Sequence, residues 1–548
     1  MRHDPRMALH ADLIFRSGRI ATMAGDRRIV SALAAHRGRI VALGADHEIA
    51  DLGGPGTRVV DLQGRTVVPG IVDSHAHPDS YAIRLAKWHR VGPERIATRD
   101  ELLGLIDRTT RDGPRDRWFA GYRFDDRKTG GYPSQAELDR AGNGRPVFIL
   151  RTDGHLALAN AAAFAACRIG ADAVDPAFGR FDRDPRTNGF TGLVRETAAH
   201  LFLAQIHAAD GEGEIADGMD QVFREALSHG ITSIYNSLTP ARAIRAYQRM
   251  KDEGRLACRM GIIASGREDG LIEALTQAGM RSGFGDDRLR LVAVEWCPDC
   301  STSGRTAAYY EPYVGTPILG EPENNTGMLL YEAEDLKRRA IAAHKAGHLV
   351  CIEGVGDRGI DFALDAIEAA LAAHPVADHR MRVEHCCYVT PPLLERIKRL
   401  GVVDSSATGF MYDLGDAYAA NRGDAAMRWM WPHRTLIDRG IPAPGHSDFA
   451  VCRVNPWTAM WSMVARKSES GRSLDPHEAI TVHEALDAYT RLGAYSGREE
   501  HEKGTLEIGK LADLVVLDRD IFAGPIDDLR ETRPLSTWVG GVEAWRAA

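Results

Sequence analysis

"HLVCIEGVGDRGIDFALDAIEAALAAH", residues 348–374, decides how the chain is read. It opens with a short apolar run, His348 to Ile352, of the kind that is buried on both faces in a parallel sheet. Glu353 ends the run, the glycines Gly354 and Gly356 turn the chain, and a stretch with helical periodicity follows. Strand, turn and helix make one βα unit. The carboxylate at the strand's end needs an explanation, because a buried charge is strongly unfavourable unless it is paired or binds a metal.

The same unit recurs along the chain. Candidate strands are TVVPGIVDSHAH (66–77), ITSIYNS (231–237), ACRMGIIAS (257–265), RLRLVAVEW (288–296), HLVCIEG (348–354), MRVEHC (381–386), VVDSSAT (402–408) and IPAPGHSD (441–448). Helical stretches such as EDLKRRAIAAHKAG and PPLLERIKRLG follow most of them. Eight βα units predict an α/β fold, a (β/α)₈ barrel over residues 66–500. The gap at about 79–220 is too long for a loop and predicts an inserted subdomain after the first strand. Residues 1–65 and 501–548 alternate in a β manner with glycine punctuation, which predicts one small β domain built from both termini.

Composition narrows the function. The 548 residues are 44% hydrophobic, enough for one large domain with appendages, and the net charge is −8 with no basic patch interleaved with aromatics. Nucleic acid is therefore not an expected partner. Mean hydropathy is −0.27, and no apolar run approaches the roughly 20 residues that span a bilayer. The N-terminus lacks the apolar core of a signal peptide, and the eight cysteines are scattered, so reduced thiols in a cytoplasmic protein are expected. A small-molecule substrate and the commonest assembly, a homodimer, are the default expectations.

A barrel active site lies at the C-terminal ends of the strands. Those ends carry His75 and His77, Glu295, Glu353, Glu384 and His385, and His446 to Asp448. His75 and His77 are two apart on a strand and project to one side, a spacing that lets two imidazoles hold one ion. Alone, His385 reads as a core histidine and Asp448 as a helix cap. Their recurrence at one end of separate strands points to a metal site. Glu384 precedes His385, points away from it, and reads as a structural residue.

With "VVPGIVDSHAHPD", "RTDGHLALANAAAF", "NGFTGLVRETA", "GRTAAYYEPY", "GVGDRGIDFALDA", "RVEHC", "HSDFAV" and "GTLEIGKLADLVVLD" in this order, the chain resembles the family-3 branch of the amidohydrolase superfamily, metal-dependent hydrolases such as the N-substituted formamide deformylases. The resemblance implies a distorted barrel with a composite β-sandwich and one or two divalent metals, usually zinc. It also implies hydrolysis of a C–N bond in an amide, formamide, carbamate or cyclic amide. Residue by residue, it makes His75 and His77 ligands of one metal, Glu295 a bridge, Glu353 and His385 ligands of a second, and Asp448 both a ligand and the proton shuttle. Two positions depart from the family pattern: Glu353 stands where a histidine is usual, and Glu295 stands where a carboxylated lysine is usual. Three carboxylates and one imidazole fewer favour manganese or iron over zinc. Two other readings follow: a non-hydrolytic iron or manganese enzyme (oxygenase, decarboxylase or isomerase) on the same barrel, and an inactive binding homologue.

Three further residues are expected to touch substrate: His155 in the Asp-Gly-His motif, Trp296 beside Glu295, and Arg305, for which a structural ion pair is the competing reading. The Cys297-Pro298-Asp299-Cys300 segment admits either a functional thiol pair or plain loop thiols, because a single C-x-x-C is weak for zinc.

Overall fold

A computed structural model describes residues 10–112, 114–318 and 321–548. Seven parallel strands pair in chain order: Ile71–Ala76, Ile231–Thr239, Arg259–Ser265, Leu289–Trp296, Val350–Gly354, Arg382–His385 and Val403–Ser406. They are near-continuous apolar runs because helices cover their outer side. The helix Asp357–Ala373 shows how: Ile360, Ala363, Leu364, Ile367 and Ala370 recur at helical spacing and are all buried. The fold is the expected α/β barrel with additional sheets.

Two strands differ from expectation. Residues 441–448 form no regular eighth strand. They accept hydrogen bonds from Asp404 and Ser406 through the carbonyls of Pro442 and Pro444, at 3.0 and 2.9 Å, and reach the first strand by Asp448 N–H donating to His75 O at 3.1 Å. Prolines 442 and 444 have no N–H to give a ladder, so the barrel closes by this irregular stave. The run read as 66–77 is also split. Thr66–Pro69 pairs antiparallel with Leu514–Leu517 outside the barrel, and the barrel strand starts after Gly70. A side chain at 70 would meet Thr232 Oγ1 at 2.2 Å, so the close passage requires glycine.

Thr66–Pro69 lies in a six-stranded sheet with Val542–Arg546, Pro534–Val539, Leu514–Leu517, Arg19–Ala21 and Ile29–Val30. A four-stranded sheet of Arg39–Gly44, Ala32–His36, Leu13–Arg16 and Arg58–Asp61 faces it. Phe15, Leu33 and Ile40 from one terminus and Leu514, Val516 and Trp538 from the other share one core. Phe15 meets Trp538 edge-on at 4.9 Å. Between the first two barrel strands, a six-stranded mixed sheet runs from His89–Arg90 to Phe190–Glu196 with its own core around Phe119, Ile149 and Leu158. The chain returns through the helix Glu212–Ser228, which packs on the helix Pro78–Lys87. Among the described residues, no helix is long and apolar enough to cross a membrane.

Candidate active site

The strand ends deliver their polar side chains to one buried point. His75 is fully buried at the end of the first strand, and its Nδ1 is 2.9 Å from Glu384 Oε2. Glu384 is fixed by Ser405 Oγ, which donates to Oε2 at 2.7 Å, and by Arg382 Nε, which donates to Oε1 at 2.5 Å. An ionised Glu384 accepts from Nδ1–H, so the lone pair of His75 is on Nε2. Burial lowers the His75 pKa by more than Glu384 raises it, which keeps the ring neutral. His446 stacks on His75 at 4.7 Å.

The free side of His75 meets the other ligand candidates. Its Nε2 is 3.5 Å from Asp448 Oδ1, His77 Nε2 is 3.1 Å from the same oxygen, and His385 Nε2 is 3.6 Å from Glu353 Oε2. Two overlapping ligand groups result, His75–His77–Asp448 and His75–Glu353–His385. His75 Nε2 and Asp448 Oδ1 are buried without a hydrogen-bond partner. Native interiors rarely leave such atoms unpaired. Ligand atoms about 2.1 Å from one ion at tetrahedral angles lie about 3.4 Å apart, which matches these separations. The residues present therefore fit a divalent cation.

The titrations carry the same message. Burial raises Glu353, but the hydrogen bond and charge of His385, then the charges of Arg267 and His75, outweigh it and hold the group at about 2. Burial likewise raises Asp448, and His77, His385 and His75 bring it down to about 2. His385 is lowered by burial and lifted by Glu353 and Asp448 to about 9, so it carries a proton. Two carboxylates without enough cation around them recruit that proton; a metal ion supplies the same charge directly.

Glu295 stands apart from both groups. Its Oε2 accepts from Ser237 Oγ at 2.6 Å and from Leu238 N–H at 3.0 Å. Its Oε1 is 3.6 Å from His75 Nδ1, the nitrogen already engaged by Glu384. Burial and the charges of Glu353 and Glu384 raise its pKa well above the usual carboxylate range.

The turn after Glu353 is tied to the fourth strand by Asp299. Its Oδ2 accepts from the N–H of Val355 and Gly356 at 2.6 and 2.9 Å, and its Oδ1 from those of Cys300 and Ala308 at 2.8 and 2.7 Å. Cys297 and Cys300 are free, buried thiols, both raised by burial, and Arg267 Nη2 is 2.5 Å from Cys297 Sγ.

A cavity of about 250 Å³ opens onto the ligand groups, lined by His77, Glu353, His385 and Asp448. His155 lines it as well, with Nδ1 2.8 Å from the fully buried Glu196. Two expected contacts are corrected. Trp296 is 2% exposed and packs outward against Gly266, because it follows the inward-facing Glu295 on a strand. Arg305 is a structural ion pair: it is 3% exposed and donates through Nε to both oxygens of Glu321, at 2.9 and 2.8 Å.

The sequence reading did not single out the roles of His446 and Asp299, or three cavity arginines, Arg84, Arg242 and Arg267. The two-residue spacing of His446 and Asp448 is a signal that both side chains project to one side. The arginines carry no such periodic signal, since they sit on a helix, a helix start and a loop.

A (β/α)₈ barrel with imidazoles and carboxylates gathered at its C-terminal mouth defines the class, and the comparisons agree. The chain matches the amidohydrolase family over residues 58–544 and belongs to that family. It is 27% identical over 545 residues to N-substituted formamide deformylase of Arthrobacter pascens, covering 97% of this chain and 98% of that one. An uncharacterized metal-dependent hydrolase from Pyrococcus furiosus superposes with a TM-score of 0.71 at 26% identity, covering 93% of this chain and 99% of that one. One from Pyrococcus horikoshii gives a TM-score of 0.74 at 24% identity, covering 94% and 99%, a likeness of fold.

Proposed function

We propose that the protein hydrolyses a C–N bond in a small amide, with formamides first among the candidates because of the A. pascens relative. The observation that carries this is the pair of unpartnered buried atoms, His75 Nε2 and Asp448 Oδ1, facing each other at 3.5 Å beside an open cavity.

One divalent ion is proposed, held by His75, His77 and Asp448, with Glu353 and His385 beside it. A single nitrogen of His75 is available to both ligand groups, so the two groups share one site. Two carboxylates at the site shift preference toward manganese or iron relative to an all-imidazole site. A divalent ion in such a site acidifies water and polarises a carbonyl oxygen.

The chain's own residues do the rest. Glu384, locked by Ser405 and Arg382, keeps the His75 proton on Nδ1. Asp448 is ionised, and its carboxylate takes the proton of the attacking water as the water oxygen adds to the carbonyl carbon. The same carboxylate returns that proton to the nitrogen as the C–N bond breaks. His155, held by Glu196, hydrogen-bonds the substrate from the cavity lining.

The test is elemental analysis of protein grown with zinc, manganese, iron and cobalt together, followed by amine release from a panel of formamides, amides, carbamates and cyclic amides. About one equivalent of metal, with hydrolysis lost on chelation and restored on reloading, is expected. Metal-loaded protein that releases no amine from any panel member would overturn the reading.

A further inference from the structure

The cavity beside the ligand groups is unusually cationic. Arg84 lies on the helix Pro78–Lys87 after the first barrel strand, Arg242 at the start of the helix Ala241–Asp252 after the second, and Arg267 just beyond the third strand. Three consecutive βα connections thus each place one arginine in the lining of the same cavity.

Among the described residues, none of the three lies within 4.0 Å of a carboxylate oxygen (the ion-pair limit). Arg84 Nε is buried without a hydrogen-bond partner, and the Arg267 guanidinium has only Cys297 Sγ. Four other buried arginines are matched by carboxylates, Arg195 with Asp182, Arg259 with Asp513, Arg305 with Glu321 and Arg382 with Glu384, and two more, Arg145 and Arg466, spend their donors on backbone carbonyls. A larger cavity of about 510 Å³ also collects charge, but three of its four cations, Arg90, Lys128 and Arg453, are paired with Glu94, Glu469 and Asp413, which leaves Arg123 alone without an ion pair, with Asp125 in the same lining.

The carboxylates of the catalytic cavity compensate only in part: Glu353 feels the charge of Arg267, and Asp79 and Asp448 that of Arg84, with none of them in ion-pair contact. Asp153 is held by Arg151 and Ser301, and Glu353 and Asp448 belong to the ligand groups. Asp79, on the same helix as Arg84, alone remains against three arginines. Guanidinium is charged at every accessible pH and its fork suits carboxylate. Unmatched fixed charge in a concave, partly desolvated site attracts an anion.

We infer that the substrate is an anionic amide: a carboxylate a few bonds from the scissile C–N bond docks on Arg84, Arg242 and Arg267 while the amide carbonyl faces Asp448 and His77. This rests on the hydrolase reading above and narrows it to N-acylated amino acids and similar acids. The arginines bind and orient the substrate; the proton is moved by Asp448.

The experiment compares N-acetylglycine with N-acetylglycinamide, which differ by carboxylate against neutral carboxamide, in calorimetric titrations of the metal-loaded protein. Amine release is assayed in parallel on the wider amide panel. The acid is expected to bind at least about 10-fold more tightly than the carboxamide. That ratio is expected to fall at least about 10-fold in an Arg242→Gln, Arg267→Gln double variant and to recover in part when both are changed to Lys. Equal binding, no binding of either compound, or a ratio unchanged in the double variant overturns the inference. Amide hydrolysis with no anion preference leaves the hydrolase reading standing and removes this one. Selective binding of the acid with no hydrolysis of any amide upholds the anion site and removes the hydrolase reading.

Discussion

The two ends of the barrel handle buried charge in opposite ways. At the N-terminal end, where the β-sandwich is attached, Arg259 donates through Nε to Asp513 Oδ2 at 2.7 Å and through Nη2 to Oδ1 at 2.9 Å. Asp513 also accepts from Gly540 N–H, and Arg259 reaches Asp287. Tyr235 Oη and Lys503 both donate to Glu499 nearby. Each of these charges has a partner, so this end is built for stability. At the C-terminal end, His75 Nε2, Glu295 Oε1, His385 Nδ1, His446 Nδ1 and Asp448 Oδ1 have no hydrogen-bond partner. Polar atoms that folding leaves unsatisfied are available to a ligand. The difference teaches that polar burial by itself does not mark a functional site; several unpaired atoms gathered at one point do.

Substitutions at the two ends should therefore separate activity from stability. The largest effect is expected from Asp448→Asn, which removes the proton acceptor: amide turnover falls by about 10²–10⁴-fold in protein that is still folded by urea unfolding. A variant with wild-type turnover would show that another group moves the proton.

At the other end, Arg259→Met leaves Asp513 buried and unpaired. Breaking such a pair costs about 3–5 kcal/mol, to be read from urea unfolding, with kcat preserved in whatever fraction stays folded. If Arg259→Met unfolds like the wild type, the ion pair does not hold the sandwich to the barrel, and the contrast between the ends fails.

The smallest effect comes from His155. Burial lowers its pKa, but the charge and hydrogen bond of Glu196 lift it to about 9, above the ordinary 6.5. Its stabilisation is then fully present below about pH 6.5 and is lost as pH rises through about 9. Because the ring is 19% exposed, solvent moderates the size. The melting-temperature gap between wild type and Glu196→Gln should be widest at pH 6 and narrower at pH 9.5. A gap that does not change with pH would mean that His155 is neutral throughout.

Much of this was legible in the residues. Apolar runs followed by helical periodicity located seven barrel strands, and the polar residues ending them located the mouth. His75, His77, Glu353, His385 and Asp448 were all read from strand ends, where a two-residue period fixes which side chains face inward. The same period was available for Trp296, which follows Glu295 and so had to face outward, into the core. Glu384 reads as structural in the sequence and as pointing away from His385, but the two neighbours both reach His75, because the positive φ of His385 (68°) ends the regular alternation of the sixth strand. The irregular eighth stave was signalled by Pro442 and Pro444, since a proline cannot join a ladder.

The sequence by itself determined the barrel, the β segments at both termini and the set of side chains that end the strands, because these depend on local period and on the general rule that barrel sites lie at strand C-termini. Only the tertiary structure decided which polar atoms remain unpaired. Arg305 and Arg267 look alike in sequence, yet one has Glu321 from a neighbouring loop and the other has no carboxylate within ion-pair distance among the described residues. Glu295 and Glu353 both end strands, yet one is tied to Ser237 and Leu238 and the other stands beside His385. Pairing is a matter of distance across the fold, and distances between residues far apart in sequence exist only once the chain has closed.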